Sequence, residues 1–205
     1  MNSVNPSIEP SEVELDLLKL PRLLSWKEAF GNGNPVELDI GCGRGRFIIE
    51  AAQARPNVNY LGIDVSGKSL RMAKERIAKR GIANAKTAWG DARHFIADRV
   101  ADGSLDAAHL LFPDPWPKSR HQKRRVATPE FAAELRRALG RGRPFHVATD
   151  IADYFDELLE AVASGGHFEI LSEGLYDPER QFLTNYAAKY LEQGREMHYA
   201  RLRSV

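Results

Sequence analysis

The sequence predicts an α/β protein built on one doubly wound parallel sheet with helices on both faces. Three observations predict it. From residue 36 onward, short apolar runs of strand length alternate with longer segments of helical spacing. The first of these runs, "VELDI", empties into a glycine loop, "GCGRG", and a helical segment follows at once. The chain has 205 residues, 43% hydrophobic and 28% charged, enough for one sizeable core and too few for two comfortable ones.

The elements follow in order. Residues 1 to about 13 are polar and contain prolines, the pattern of a mobile tail. "VELDLLKLPRLLSWKEAF" (13–30) reads as a lead-in segment with a short helix after Pro21, and "GNGNP" as a turn. Residues 1–34 are therefore expected to stand ahead of a single domain, 35–205. Within that domain the strands are predicted at 36–40, 58–64, 85–91, 104–112 and 144–150. Helices are predicted at 45–55, at 66–81 with Gly81 as the stop, and at 92–100. A further helix, 128–142, starts with Thr128 as cap and Pro129 in its first turn, and another covers 151–166. "HFEILSE" (167–173) and "REMHYARLRS" (195–204) close the sheet.

Net charge is +1, so bulk charge selects no partner; its distribution does. Residues 114–143 carry nine Lys/Arg against three Asp/Glu, whereas residues 1–35 carry three against five. One concentrated basic segment in a near-neutral chain points to a local polyanion site. Cys42 is the single cysteine, which excludes an internal disulfide and points to a reducing compartment. "MNSVNPSIEP" lacks the basic and apolar regions of a signal peptide. No apolar run approaches the roughly 20 residues that span a bilayer, so a cytoplasmic protein is expected. Neither Cys42 nor the six histidines show metal-ligand spacing, and no metal is expected.

In doubly wound sheets ligands sit at the carboxyl ends of the strands. Gly41, Gly43 and Gly45 give a G-x-G-x-G loop there; a dinucleotide fingerprint would need its third glycine at Arg46. Asp39 precedes the loop. Asp64 ends the second strand, where a carboxylate meets ribose hydroxyls, and Asp91 ends the third, where one can accept from an adenine amino group. Any one of these aspartates alone is as readily a helix cap or turn residue. Three at consecutive strand ends would repel a phosphate and suit a nucleoside with a cationic tail. S-adenosylmethionine, with its ribose, adenine, sulfonium and ammonium, is such a ligand.

"LLFPDPWPKSRHQKRRV" (110–126) follows the fourth strand. In a methyl-transferring sheet that strand end faces the methyl group, which puts Asp114 beside it. Pro113, Pro115 and Pro117 fix φ and stiffen the turn. Trp116 is placed to support the loop or to stack on a base. Lys118, Arg120, His121, Lys123, Arg124 and Arg125 then form a basic run suited to nucleic-acid phosphates.

"FPDPWPKSRHQKRR" resembles the signature of the bacterial tRNA (guanine-N7-)-methyltransferases. The resemblance continues through "VELDIGCGRGRF", "YLGIDVS", "GDA", Thr149–Asp150 and "TNY" at 184–186. It implies a Rossmann-like class I methyltransferase sheet and methylation of the variable-loop guanine of tRNA with S-adenosylmethionine. By position, Asp39, Asp64 and Asp91 match the family's cofactor carboxylates, with Ala92 alongside. Asp114 matches the active-site aspartate, which also lies against the cofactor. Lys118, Asp150 and Thr184 match substrate-binding positions, with Asn185 and Tyr186 completing the C-terminal motif. Family members read Thr-x-Phe/Tyr-Glu there. Here Ala187 replaces the glutamate, so its orienting contact is missing or comes from elsewhere, Glu192 being the candidate.

Guanine N7 carries a free lone pair, so no proton must leave before attack, and alignment matters more than a strong base. The product ring is cationic, and a carboxylate at Asp114 favours that charge as it develops. In this reading Asp150 helps fix the base, and Lys118 with the Arg124/Arg125 pair grips phosphates. Two rivals stand beside it. Exocyclic-amine methyltransferases resemble Asp-Pro-Pro-aromatic after the same strand, whereas here one proline separates Asp114 from Trp116. The other is a catalytically impaired homologue that keeps the fold and binds cofactor or RNA, for which Ala187 is the support.

Overall fold

The computed structural model describes residues 8–116, 120 and 125–205. Among them the sheet has eight strands, in the spatial order β1-β4-β3-β2-β5-β6-β8-β7. These are β1 (Glu14–Leu15), β2 (Val36–Ile40), β3 (Asn59–Asp64), β4 (Ala85–Trp89), β5 (Ala107–Leu111), β6 (Pro144–Thr149), β7 (Phe168–Leu175) and β8 (His198–Ser204). The pairs from β1 through β6 are parallel. β8 enters antiparallel between β6 and β7. The order reverses at β2, which pairs with β3 on one side and β5 on the other. That reversal opens a crevice at the carboxyl ends of β2 and β5.

Helices cover both faces. α1 (Pro10–Val13), α3 (Arg46–Ala54), α4 (Gly67–Lys79) and α8 (Asn185–Glu192) contribute to one apolar cluster. α2 (Trp26–Phe30), α5 (Ala92–Arg99), α6 (Pro129–Leu139) and α7 (Ala152–Ala163) contribute to the other. The two-residue period of a strand explains how β2 serves both. Val36, Leu38 and Ile40 face the α5–α7 side. Glu37 and Asp39 project to the α3 side, and both are buried.

Glu37 is matched there. Arg55 meets it with two hydrogen bonds, of 3.0 and 3.1 Å, and His109 Nε2 lies 2.9 Å away. Burial alone would raise the Glu37 carboxyl, but His109 and Arg55 outweigh it and hold the group below its usual value. His109 stacks on His146, whose Nδ1 is 2.6 Å from the Tyr199 hydroxyl. Among the described residues Asp39 has no such pairing, and it borders the crevice.

The predicted strands and helices from residue 36 on agree with the observed ones to within a few residues. Thr128 caps α6 by accepting from Phe131 N–H, with Pro129 in the first turn. Three elements go beyond the sequence reading. The stretch expected to be a mobile tail ends in α1, with Val13 buried, and the lead-in segment after it supplies β1, paired in parallel with β4. Its Leu15, Leu24 and Phe30 join the core of the domain it precedes. α8 lies where the sequence showed a motif and no helix. Its signal was Thr184, a serviceable N-cap, hidden by the short eight-residue run that follows.

Candidate active site

The glycine loop is tied to the end of β3 through its backbone. Gly41 and Cys42 N–H both donate to the Ile63 carbonyl, at 2.8 and 3.1 Å. Gly43 N–H donates to Asp64 Oδ2 at 2.8 Å, while Asp64 Oδ1 accepts from Ser66 N–H at 2.7 Å. One carboxylate thus sets the loop against β3 and turns the chain into α4. Gly45 sits at φ +72°, and a Cβ there would lie 2.9 Å from Ala73 Cβ. Only glycine permits both the left-handed turn and the close approach of α3 to α4. Gly45, expected to contact the cofactor, is buried against Ala73 and lines neither cleft described below. Cys42 is buried, its thiol pushed up by burial and by the Asp39 and Asp64 charges, which keeps it protonated and unreactive.

Two adjoining clefts open over this loop. The larger, about 720 Å³, is lined by Gly41, Gly43, Asp64, Ser66, Asp91 and Ala92, and on its far side by Phe112, Asp114, Trp116 and Tyr186. The smaller, about 320 Å³, is lined by Asp39, Arg46, Ser69, Thr184, Asn185 and Lys189. Gly41, Gly43, Ser69 and Tyr186 border both, so the two form one continuous crevice. Asp39 is 3% exposed. Burial and then the nearby Asp64 charge raise its pKa to about 8. Asp91 is different: it caps α5 by accepting from Arg93 N–H at 2.9 Å and is gripped by the Arg93 guanidinium. Those bonds hold its carboxyl below the usual range.

Beyond β5 the chain makes a stiff turn. Phe112 and Trp116, which flank Pro113-Asp114-Pro115, both have positive φ, 57° and 43°. Each precedes a proline, and non-glycine residues in this region cost of order 1–3 kcal/mol, strain that clusters at functional sites. The turn is braced from beneath. Tyr154 hydroxyl donates to the Asp114 carbonyl at 3.3 Å, and Arg125 Nε donates to the Pro115 carbonyl at 2.8 Å. The Arg125 guanidinium also lies 4.9 Å from the Tyr154 ring centre and pairs with Glu157. Asp114 itself is exposed at the cleft rim.

Arg125, expected to grip phosphate, has its guanidinium turned inward onto this turn. Arg120 is exposed. Lys118 and Arg124, together with His121 and Lys123, fall outside the described residues.

The C-terminal motif starts α8. Thr184 is 8% exposed, and its hydroxyl accepts from Ala187 N–H at 2.8 Å as an N-cap. Thr-x-x-Glu is the pattern of a capping box, so Ala187 removes the half in which the third helical residue reaches back. Glu192 lies exposed at the opposite end of α8 and does not replace it. The carboxylate that meets this segment is Glu50 of α3, which accepts from Leu183 N–H at 3.1 Å. Asp150 lines neither cleft; Arg195 pairs with it and packs on the Tyr190 ring, 4.4 Å from its centre. Arg46, Glu50, Ser69 and Lys189 were missed by sequence reasoning. Arg46 and Glu50 stand four residues apart on one helix, a legible pair, but the distant Leu183 partner left no local signal.

Residues 33–200 match a family model described as "Putative methyltransferase". The chain is 38% identical over 183 residues to a tRNA (guanine-N(7)-)-methyltransferase of Geobacter metallireducens, covering 88% of this chain and 87% of that protein. It is 39% identical over 175 residues to the enzyme of that name from Aliivibrio salmonicida, covering 82% and 72%. Among solved structures it resembles an antibiotic-related methyltransferase with a TM-score of 0.65 at 23% identity, covering 89% of this chain and 94% of that one.

Proposed function

The chain belongs to the tRNA (guanine-N(7)-)-methyltransferase family, and on that premise we propose that its target is the guanine of the tRNA variable loop. It is an S-adenosylmethionine-dependent enzyme that methylates guanine N7 in tRNA. Its tRNA substrate and single cysteine support a cytoplasmic place of action. Among the described residues, no helix is long and apolar enough to cross a membrane.

The observation that carries the assignment of roles is the division of the crevice. Buried Asp39 borders one end, Asp64 and Asp91 the other, and Asp114 stands on a strained turn at the rim. The residues fit the cofactor on chemical grounds. Asp39, which burial keeps reluctant to ionise, gains from a cation such as the ammonium of the methionyl tail. Asp64 has both oxygens on backbone donors and keeps lone pairs for ribose hydroxyls. Asp91 and Ala92 border the adenine end. When bound, S-adenosylmethionine supplies an electrophilic methyl group.

The protein's own part is alignment and charge. N7 needs no deprotonation, so no residue has to act as a strong general base. Asp114 holds the guanine edge and stabilises the positive charge that spreads over the ring. Phe112 and Trp116 fix the turn, and Arg125 with Tyr154 holds it from below. Tyr186, exposed and bordering both clefts, offers a ring face to the base.

The test is incubation with labelled cofactor and unmodified tRNA, followed by chemical strand scission at N7-methylguanine. Scission in the variable loop is expected. Methyl incorporation with scission elsewhere would overturn the choice of nucleotide.

A further inference from the structure

The sequence concentrates basic residues after Pro117, yet the structure gathers a second group of cations on the α3–α4 side of the crevice. Arg44 belongs to the glycine loop and Arg46 to the first position of α3, while Arg76 lies on α4 and Arg80 at its end. Arg76 Nη1 donates to the Arg44 carbonyl at 2.8 Å, and Arg80 Nη1 to the Arg76 carbonyl at 2.9 Å. The residues Ser69, Ala73, Arg76 and Arg80 are spaced four, three and four apart, so they share one helical face. Ser69 borders the crevice, and Ala73 packs under Gly45. Arg44 borders the smaller cleft, and Arg76 and Arg80 continue from it along α4, with Arg44 and Arg80 exposed and Arg76 half-buried.

Their proximity is visible in the Arg76 guanidinium. Partial burial lowers its basicity most, then the charges of Arg80 and Arg46, with Arg44 adding to them and Glu50 opposing. Glu50 is committed to Arg46 and to Leu183 N–H. Like charges held together cost folding energy and raise a local positive potential, which a chain of phosphates lowers. A flexible carboxylate-bearing partner offers no comparable regular line of charge, whereas an RNA backbone does.

We propose that Arg44, Arg76 and Arg80 form a second phosphate track for the RNA, on the α3–α4 side of the crevice, complementing the basic run after Pro117. The proposal rests on the tRNA reading above. Phosphate contacts of this kind position the substrate and read no sequence.

The test uses the full chain, unmodified tRNA, and binding measured over a series of salt concentrations. Removing both charges in Arg76→Gln/Arg80→Gln is expected to reduce the slope of log K against log salt by about 1.5, at roughly 0.7–0.9 per phosphate contact. Arg76→Lys/Arg80→Lys, which keeps both charges, is expected to keep the slope. An unchanged slope in the double Gln variant would overturn the track. An equal fall in the Gln and Lys variants would also overturn it, since the effect would then follow from altered packing and not from charge. Wild-type protein without salt-dependent tRNA binding would instead sink the tRNA reading itself. That outcome differs from wild-type binding with unaffected variants, which sinks only the track.

Discussion

Glu50 accepts a hydrogen bond from Leu183 N–H, 133 residues away in sequence, while its other oxygen takes Arg46 Nε at 2.8 Å. The helix that opens from the glycine loop is thereby bonded to the residue preceding Thr184. Glycine loop and C-terminal motif are set against each other through one carboxylate. The chain that lacks a glutamate at position 187 has an acid at this junction from another helix.

Removing that acid should loosen the motif. A hydrogen bond to a charged group contributes about 1.5–3 kcal/mol, so Glu50→Ala should lower stability by an amount in that range. Turnover should fall more than cofactor affinity, because Thr184 and Tyr186 border the crevice from α8. Glu50→Gln, whose side-chain oxygen can still accept from Leu183, should recover much of the loss. Steady-state kinetics on the two variants, beside thermal unfolding, checks this. Equal kcat for Glu50→Ala and wild type would contradict it.

Asp39 makes a prediction about protons. Its folded pKa, about 8, lies above the value near 3.9 expected of an unfolded chain. Its contribution to stability is therefore fully present below pH 4 and is lost as pH rises toward 8. The free protein should lose stability across that window, and Asp39→Asn should flatten the loss. A cationic ligand favours the ionised form, so cofactor binding at pH 6 should release a proton. Calorimetry in buffers of different ionisation enthalpy measures that release. Asp39→Asn should abolish it, and a release that persists in the variant would contradict the assignment.

Arg125 separates bracing from phosphate binding. Arg125→Gln removes the contacts to Pro115, Tyr154 and Glu157. It should lower kcat by about tenfold or more, since small misplacements of reacting groups are costly. The salt dependence of tRNA binding should barely change. A salt slope reduced by about 0.7–0.9, the share of one phosphate contact, with kcat preserved would return Arg125 to the phosphate track.

Much of the fold was legible because its signals are local. "VELDI" and "NYLGID" have strand length and end in turn residues, and Thr128-Pro129 marks a helix start in two letters. The acidic strand ends were equally legible: Asp39, Asp64, Asp91 and Asp114 all border the crevice. What stayed hidden depends on partners far along the chain. β1 is two residues long and exists through its pairing with β4. Nothing near Arg125 in sequence announces Tyr154 or Glu157, and nothing near Asp150 announces Arg195. Arg76 and Arg80 look like ordinary solvated helix charges until α3 is packed beside them.

Asp114 at the rim of the crevice carries the proposed charge stabilisation, and turnover of Asp114→Asn tests that role most directly. The substitution keeps the shape of the side chain and removes its charge. A single preorganised electrostatic contact to a developing charge contributes roughly 10²–10³ in kcat. N7 methylation of unmodified tRNA by Asp114→Asn should fall by about that factor, with cofactor affinity measured alongside and largely intact. Methylation at the wild-type rate would contradict the role given to Asp114.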